Sequence, residues 1–139
     1  MKNISLNFNL SAVMFLMLIF GISFSTFAQK EAPKLSPDKF ETRSSKGKKA
    51  VILDIRTPEE IALGHIEGAE TADFLSDDFE EILSGMDKKK KYYVYCRSGK
   101  RTISASEKMQ QMGFRKIFVL EGGLNNWVEQ EKPIVIPNK

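Results

Sequence analysis

Cysteine is almost absent from this chain, because Cys96 is the only one in 139 residues, and His65 is the only histidine. A single cysteine cannot form an internal disulfide, so a small fold that depends on disulfide bridges is excluded. The Cys96 thiol is then an inert core residue, an intermolecular bridge or a reactive nucleophile. Its sequence neighbours have to decide between these three.

A strong excess of charge is also lacking, since the formal net charge of the whole chain is only +3. This balance gives no support for binding to nucleic acid, and we expect no such partner. Two short runs, "KGKK" at 46–49 and "KKKK" at 88–91, are locally basic. We predict that both are solvated loops, with a weak attraction for small anions as the alternative.

The first 28 residues have the composition of an export signal. Lys2 provides a positive start, and the stretch 10–20, "LSAVMFLMLIF", is almost wholly apolar. Small residues precede a predicted cleavage after Ala28. We therefore predict a signal peptide at 1–28 and a mature domain at 29–139, periplasmic or secreted, with no stable membrane insertion after cleavage. An uncleaved membrane anchor is the alternative.

Tight hairpin turns, internal repeats and an interdomain linker are all missing from the rest of the chain. Short apolar runs alternate instead with amphipathic segments, which favours a parallel α/β sheet covered on both faces. The predicted strands are 50–55, 69–74, 91–96 and 116–120. The predicted helices are 36–45, 57–63, 76–86, 101–113 and 124–130.

Helix boundaries are marked by specific residues. Thr57 is a predicted N-cap, with Pro58 at the first helical position and Glu60 completing a capping box. Ser36 and Ser76 are predicted to open two further helices. In the helix that starts at Arg101, the spacing places Ile103, Met109 and Met112 near one helical face, and Gly113 ends the helix.

Cys96 lies in "YVYCRSGKRT", at the carboxyl end of a predicted central strand. Open parallel sheets bind ligands at this edge. The loop that follows leads directly into a helix, so its backbone N–H groups would form an anion-binding cradle, and Gly99 would let the backbone curl. Such a cradle and the nearby cations favour a thiolate, which predicts a reactive Cys96 and not a structural one.

Three stretches, "VILDIRTPEEIALGHIEGAE", "YYVYCRSGKRTISASEKMQQMGF" and "IFVLEGGLNNWVEQEKPI", resemble the successive signatures of rhodanese-like domains, the sulfurtransferase family. The resemblance extends from about Lys34 to Ile134. It implies an α/β domain with a five-stranded parallel sheet and helices on both faces. It also implies that Cys96 accepts a sulfane sulfur as a persulfide. No metal ion and no organic cofactor is implied.

The predicted reaction assigns roles to the loop residues. Cys96 matches the catalytic position, and a single cysteine suffices for a two-step transfer, whereas a thioredoxin-like mechanism would need a second one. The expected substrates are a small anionic sulfur donor such as thiosulfate and a thiol or cyanide as acceptor. The predicted binding residues are those of the loop: Arg97, Ser98, Gly99, Lys100 and Arg101.

Residues outside the loop are predicted to be structural. Asp54 and Arg56 end the first predicted strand and are expected to support the active loop through ion pairs, with an Arg56–Glu60 bond as the alternative. His65 falls in a turn, and the resemblance implies a structural role for it. Trp127 is predicted to be a core residue. The family often has glycine where this chain has Gln130 and Glu131, which leaves the shape of the last turn open.

Two other functions remain open at this stage. A cysteine phosphatase has the same kind of cradle, but its loop runs from cysteine through five residues to arginine. Here the arginine comes one residue earlier, at Arg101, because the seventh position is Thr102. The other alternative is a non-catalytic rhodanese module that only binds a partner.

Overall fold

The computed structural model describes residues 30–137, which form five strands and five helices in alternation. The predicted signal peptide and its cleavage point lie outside the described residues. All strand pairs are parallel, and the strand order is β1-β5-β4-β2-β3. The strands are β1 Lys34–Leu35, β2 Ala50–Asp54, β3 Glu70–Thr71, β4 Lys91–Tyr95 and β5 Ile117–Leu120. This confirms the predicted α/β class with a five-stranded parallel sheet.

The helices connect these strands and cover both faces of the sheet. They are α1 Pro37–Ser44, α2 Pro58–Ala62, α3 Phe79–Ser84, α4 Arg101–Gln111 and α5 Gly123–Glu129. One hydrophobic cluster packs α3 and α4 on the sheet, and a second packs α1 and α5 on the opposite face. None of the helices within 30–137 has the length and apolar character needed to cross a membrane.

The central strand β4 shows how the sequence builds both cores. Tyr92 and Val94 belong to the α3–α4 cluster, whereas Tyr93 and Tyr95 belong to the α1–α5 cluster. Alternate residues of a strand point to opposite faces, so an unbroken apolar run satisfies two cores at once. Phe40 of α1 contacts the Tyr93 and Tyr95 rings edge-on, at centroid distances of 5.6 and 6.5 Å.

Several predicted elements differ from the structure. The strand at 69–74 is reduced to Glu70–Thr71, and the helix predicted from Ser76 begins at Phe79, with Asp78 at the N-cap position. Ser36 does occupy the N-cap position of α1, but its side chain makes no capping bond. In α4, Met109 is buried, whereas Ile103, which was predicted to lie near the same helical face, is 45% exposed.

The short strand β1 was not predicted from the residue pattern. It contains two residues, which are too few to show the alternation of apolar and polar residues that predicts a strand. Backbone hydrogen bonds with β5 define it instead. The Val119 N–H donates to the Pro33 carbonyl at 2.9 Å, and the Glu121 N–H donates to the Leu35 carbonyl at 2.9 Å. The fifth strand is therefore a product of tertiary pairing.

Candidate active site

Cys96 lies directly after β4 and is completely buried, with 0% of its surface exposed. Its position is fixed by the adjacent strand, because the Ile55 N–H donates to the Tyr95 carbonyl at 3.1 Å. The Sγ atom accepts a hydrogen bond from the Gly99 N–H at 3.1 Å. The chain therefore curls back over its own thiol within three residues, as the sequence predicts.

The loop between Cys96 and α4 offers further backbone donors. Four of its N–H groups have no hydrogen-bond partner within residues 30–137, and they belong to Arg97, Ser98, Lys100 and Arg101. Gly99 has a φ of +85°, a conformation that favours glycine, which allows the curl. The Thr102 hydroxyl donates to the Gly99 carbonyl at 2.6 Å and fixes the end of the loop. These features bring the predicted loop residues together around the thiol.

A pair of glycines behind the loop was not recognised as part of the site. Gly122 and Gly123 have φ values of +72° and +61°, and they are the N-cap and the first residue of α5. The first N–H groups of α5 hold the loop, since Leu124 donates to the Cys96 carbonyl at 2.8 Å and Asn125 donates to the Arg97 carbonyl at 3.0 Å. A Cβ atom on Gly123 would lie 2.5 Å from the Cys96 carbonyl oxygen. Only glycine permits this approach, and the "GG" before a predicted helix was the available signal.

Glu60 binds the far end of the loop. Its two carboxylate oxygens accept from Nη1 and Nη2 of Arg101 at 2.8 and 2.7 Å. The same carboxylate completes the predicted capping box, because it accepts from the Thr57 N–H at 3.2 Å. The Arg101 guanidinium lowers the pKa of Glu60 below its ordinary value of 4.5, and burial opposes this only in part. From the sequence, Glu60 was predicted to cap the helix or to bond Arg56, and its contact with Arg101 was not predicted.

Asp54 and Arg56 form a buried ion pair with each other. The Arg56 Nη2 lies 2.6 Å from Asp54 Oδ2, and Nε lies 2.9 Å from Oδ1. Burial lowers the pKa of Arg56, but the hydrogen bond and charge of Asp54 outweigh it and raise that pKa. The guanidinium also lies 5.6 Å from the centre of the Tyr95 ring. Because β2 and β4 are neighbours and Asp54 pairs with Tyr95, the ion pair lies beside the end of the strand that leads to Cys96.

Within residues 30–137, neither Asp54 nor Arg56 forms the expected ion pair with the loop, because they pair with each other. Arg56 donates instead to the backbone carbonyls of Glu60 and Gly64, at 3.2 and 2.9 Å. The predicted Arg56–Glu60 bond therefore forms with the main chain and not with the carboxylate. The pair fixes the segment that carries α2, so it supports the loop only indirectly, through the Glu60–Arg101 contact.

His65 and Trp127 are tied to the carboxyl-terminal segment. His65 forms two backbone hydrogen bonds of 2.9 Å with Val135. The Trp127 indole donates to the Pro133 carbonyl at 2.9 Å, and its side chain is only 2% exposed, which confirms its place in the core. The last turn, which the sequence left open, has Glu131 at a φ of +55°.

A cleft of about 310 Å³ opens beside the loop. Ser98, Gly99 and Lys100 line one side, and Glu121 and Gly122 line the other. This gives small molecules a path to the loop from the β5 side. No group of three or more His, Cys, Asp or Glu side chains within 30–137 is arranged to hold a metal ion.

Comparison with known proteins identifies the family. A family model described as the rhodanese-like domain matches residues 36–130. The thiosulfate sulfurtransferase GlpE of Ectopseudomonas mendocina is 31% identical, covering 70% of this chain and 85% of that protein. A sulfurtransferase of Allochromatium vinosum is 36% identical, and the match covers 63% of this chain and 79% of that protein. A rhodanese-related crystal structure from Thermoplasma volcanium is 27% identical with a TM-score of 0.67, covering 76% and 99%. The chain belongs to the rhodanese-like domain family.

Proposed function

We propose that this protein is a sulfurtransferase in which Cys96 accepts a sulfane sulfur from thiosulfate and passes it to cyanide or a thiol. Relatives named as sulfurtransferases support the general activity. The observation that carries the proposal is the Cys96 thiol at the floor of a loop with unpaired backbone donors. We infer thiosulfate as the donor because it is an anion and the loop offers N–H donors and cations that bind anions.

The reaction has two balanced steps. The Cys96 thiolate attacks the outer sulfur of thiosulfate, the S–S bond of thiosulfate breaks, and sulfite leaves with the bonding electron pair. The product is a persulfide anion on Cys96. Cyanide then attacks the terminal sulfur, so that thiocyanate leaves and the thiolate is restored. A thiolate acceptor would take the same sulfur and become a persulfide itself.

The loop suits the charges of this reaction. The persulfide carries its negative charge on a terminal sulfur about 2 Å beyond Sγ. Backbone N–H groups already in place stabilise such charge without reorganisation. Arg97 and Lys100 have exposed side chains at the loop surface, where they would attract a dianionic donor. Arg101 adds a further cation near the thiol. The hydrogen bond and charge of Glu60 raise the pKa of Arg101 most, burial opposes them, and the charge of Cys96 raises it further.

The intact mass of the protein after exposure to thiosulfate tests the proposal. We expect a gain of one sulfur atom, reversed by cyanide with release of thiocyanate. Cys96→Ser is the control and should stay folded, gain no sulfur and show no turnover, because a serine hydroxyl cannot form a persulfide. Turnover retained in that variant would refute the mechanism, and a stable fold without any sulfur gain in the wild type would favour the non-catalytic module.

The phosphatase alternative is tested by a second assay. The Cys96-to-Arg101 loop is one residue shorter than a phosphatase loop, which favours a single sulfur over a tetrahedral phosphate. We expect thiosulfate:cyanide activity and no appreciable hydrolysis of aryl phosphates. Hydrolysis by the wild type without a persulfide on Cys96 would reverse this assignment.

We also propose that the protein acts in the cell envelope, periplasmic or secreted, after removal of residues 1–28. The apolar stretch at 10–20 and the small residues before Ala28 support export. Amino-terminal sequencing of the protein isolated from its host should begin at Gln29. Recovery of Met1 on membrane-bound protein would show a retained anchor instead.

A further inference from the structure

The two lysine runs of the sequence and a third basic segment meet at one edge of the sheet. They precede β2, β4 and β5, which are neighbouring parallel strands. Backbone hydrogen bonds fix the contact, because the Lys91 N–H donates to the Lys49 carbonyl at 2.8 Å and the Tyr92 N–H donates to the Lys116 carbonyl at 2.8 Å. Segments far apart in sequence therefore form one surface at the amino ends of the strands.

We call this surface the basic face. Its cations lie in the loops 45–49 and 112–116 and in the segment 87–91, and they are Lys46, Lys48, Lys49, Lys88, Lys89, Lys90, Lys91, Arg115 and Lys116. Asp87 is the one carboxylate of these segments, so their net charge is +8. The other described residues contain ten cations and seventeen carboxylates, a net charge of −7. Folding thus gathers positive charge on this face, although the whole chain is nearly balanced in charge.

The cations of the basic face are not neutralised by the protein itself. All are exposed except the half-buried Lys90. The ion pairs recorded within 30–137 involve other residues: Lys34, Arg56, Arg101, Lys108 and Lys132. Nine like charges on one edge repel each other unless an external anionic surface compensates them. The basic face is therefore suited to an extended polyanion and not to a single small ion.

We propose that the basic face docks onto the surface of an anionic phospholipid bilayer. The position of the chain end supports this occupant. The Lys30 carbonyl accepts from Gln110 Nε2 at 2.9 Å, near the carboxyl end of α4, which lies at the same edge as the basic face. Until the proposed cleavage after Ala28, the apolar stretch 10–20 would hold the chain at the membrane, so this edge would be the one nearest the bilayer when the domain is released.

The residue types of the basic face favour lipid over nucleic acid. Eight of the nine cations are lysines, which act as point charges and suffice for headgroup attraction. The aromatic residues of the face, Tyr92 and Phe114, are both buried, so no ring is exposed there for base stacking. Docking would leave the active loop free, because β4 places it at the opposite edge, about 15 Å away.

Vesicle binding by the mature chain that begins at Gln29 tests the proposal. The readout is the ratio of partition coefficients for phosphatidylglycerol–phosphatidylcholine vesicles and pure phosphatidylcholine vesicles. We expect a high ratio at low salt and a loss at high salt. Lys49→Gln with Lys116→Gln should lower the ratio about 25-fold, since each lysine contributes about fivefold.

The matched control is Lys39→Gln with Lys100→Gln, which removes the same charge from exposed positions at the opposite edge of the sheet and should change the ratio less than about twofold. An equal loss in the control, or a ratio near one for the wild type, would overturn the proposal. Displacement by a short DNA duplex at the same phosphate concentration would assign the face to nucleic acid and overturn it too. Sulfurtransferase activity of the Lys49→Gln, Lys116→Gln variant in solution should match the wild type.

Discussion

The Glu60 carboxylate and the Arg101 guanidinium are joined by two hydrogen bonds of 2.7 and 2.8 Å, although 41 residues separate them in sequence. Glu60 belongs to the helix that follows β2, and Arg101 begins the helix that follows β4. Because these strands are adjacent and parallel, their helices start at the same edge. One carboxylate thus caps α2 and fixes the end of the active loop.

This contact predicts energetic coupling between the two positions. Glu60→Gln and Arg101→Ala should each destabilise the fold. The loss of unfolding free energy in the double variant should be smaller than the sum of the two single losses, by a coupling energy of about 1 kcal/mol. Urea unfolding of the four proteins measures it. Glu59→Gln, on the exposed side of the same helix, is the control and should show no coupling with Arg101→Ala.

The lowered pKa of Glu60 predicts a pH dependence of this contribution. The folded state holds the proton less tightly than the unfolded state does, so the pair stabilises the fold above the ordinary value of 4.5 and the effect disappears as the pH falls below it. The stability difference between wild type and Glu60→Gln should be constant near neutral pH and shrink in acid. A difference that grows in acid would contradict this.

Arg101 is expected to contribute to donor capture as well as to loop geometry. Arg101→Ala should raise the KM for thiosulfate about tenfold, because a charge near the anionic donor is lost. Arg101→Lys keeps the charge but not the bidentate contact with Glu60, so it should recover part of the donor affinity. Steady-state kinetics at varied thiosulfate concentration decide this. An unchanged KM in both variants would make Arg101 purely structural.

Gly123 should tolerate no side chain. Gly123→Ala places a Cβ atom 2.5 Å from the Cys96 carbonyl oxygen, in a left-handed backbone conformation, and should destabilise the fold by about 3 kcal/mol and lower turnover. Gly68→Ala is the matched control, since Gly68 has a φ of +74° but no atom within 4 Å of the added methyl group. Its cost should be about 1 kcal/mol, with normal turnover.

Glu131 adopts a left-handed backbone conformation, with a φ of +55°, in the turn that follows α5. Relief of the steric cost should outweigh the greater freedom of glycine in the unfolded chain, so Glu131→Gly is expected to stabilise the fold by about 0.5–1 kcal/mol. The midpoint of thermal unfolding measures this. Glu129→Gly, in the last turn of α5, is the control and should destabilise by about 1 kcal/mol. Stabilisation by both variants would contradict the conformational argument.

Local sequence patterns predict much of the fold and of the candidate site. The alternating apolar residues of β4, the Thr57–Glu60 capping box and the "CRSGK" loop are all readable from adjacent residues, because each depends on backbone geometry within one or two turns. The class of fold and the position of Cys96 follow from them. The match of the rhodanese-like domain model to residues 36–130 agrees with this class of fold.

Only the tertiary structure decided the long-range contacts. The two-residue strand β1 exists through its bonds to β5, and the support of the loop by Gly123 depends on the approach of α5 to Cys96. The assembly of the basic face depends on strand order, which places Lys49 and Lys116 on either side of β4. Residues distant in sequence become neighbours through sheet topology, and no local periodicity records that order.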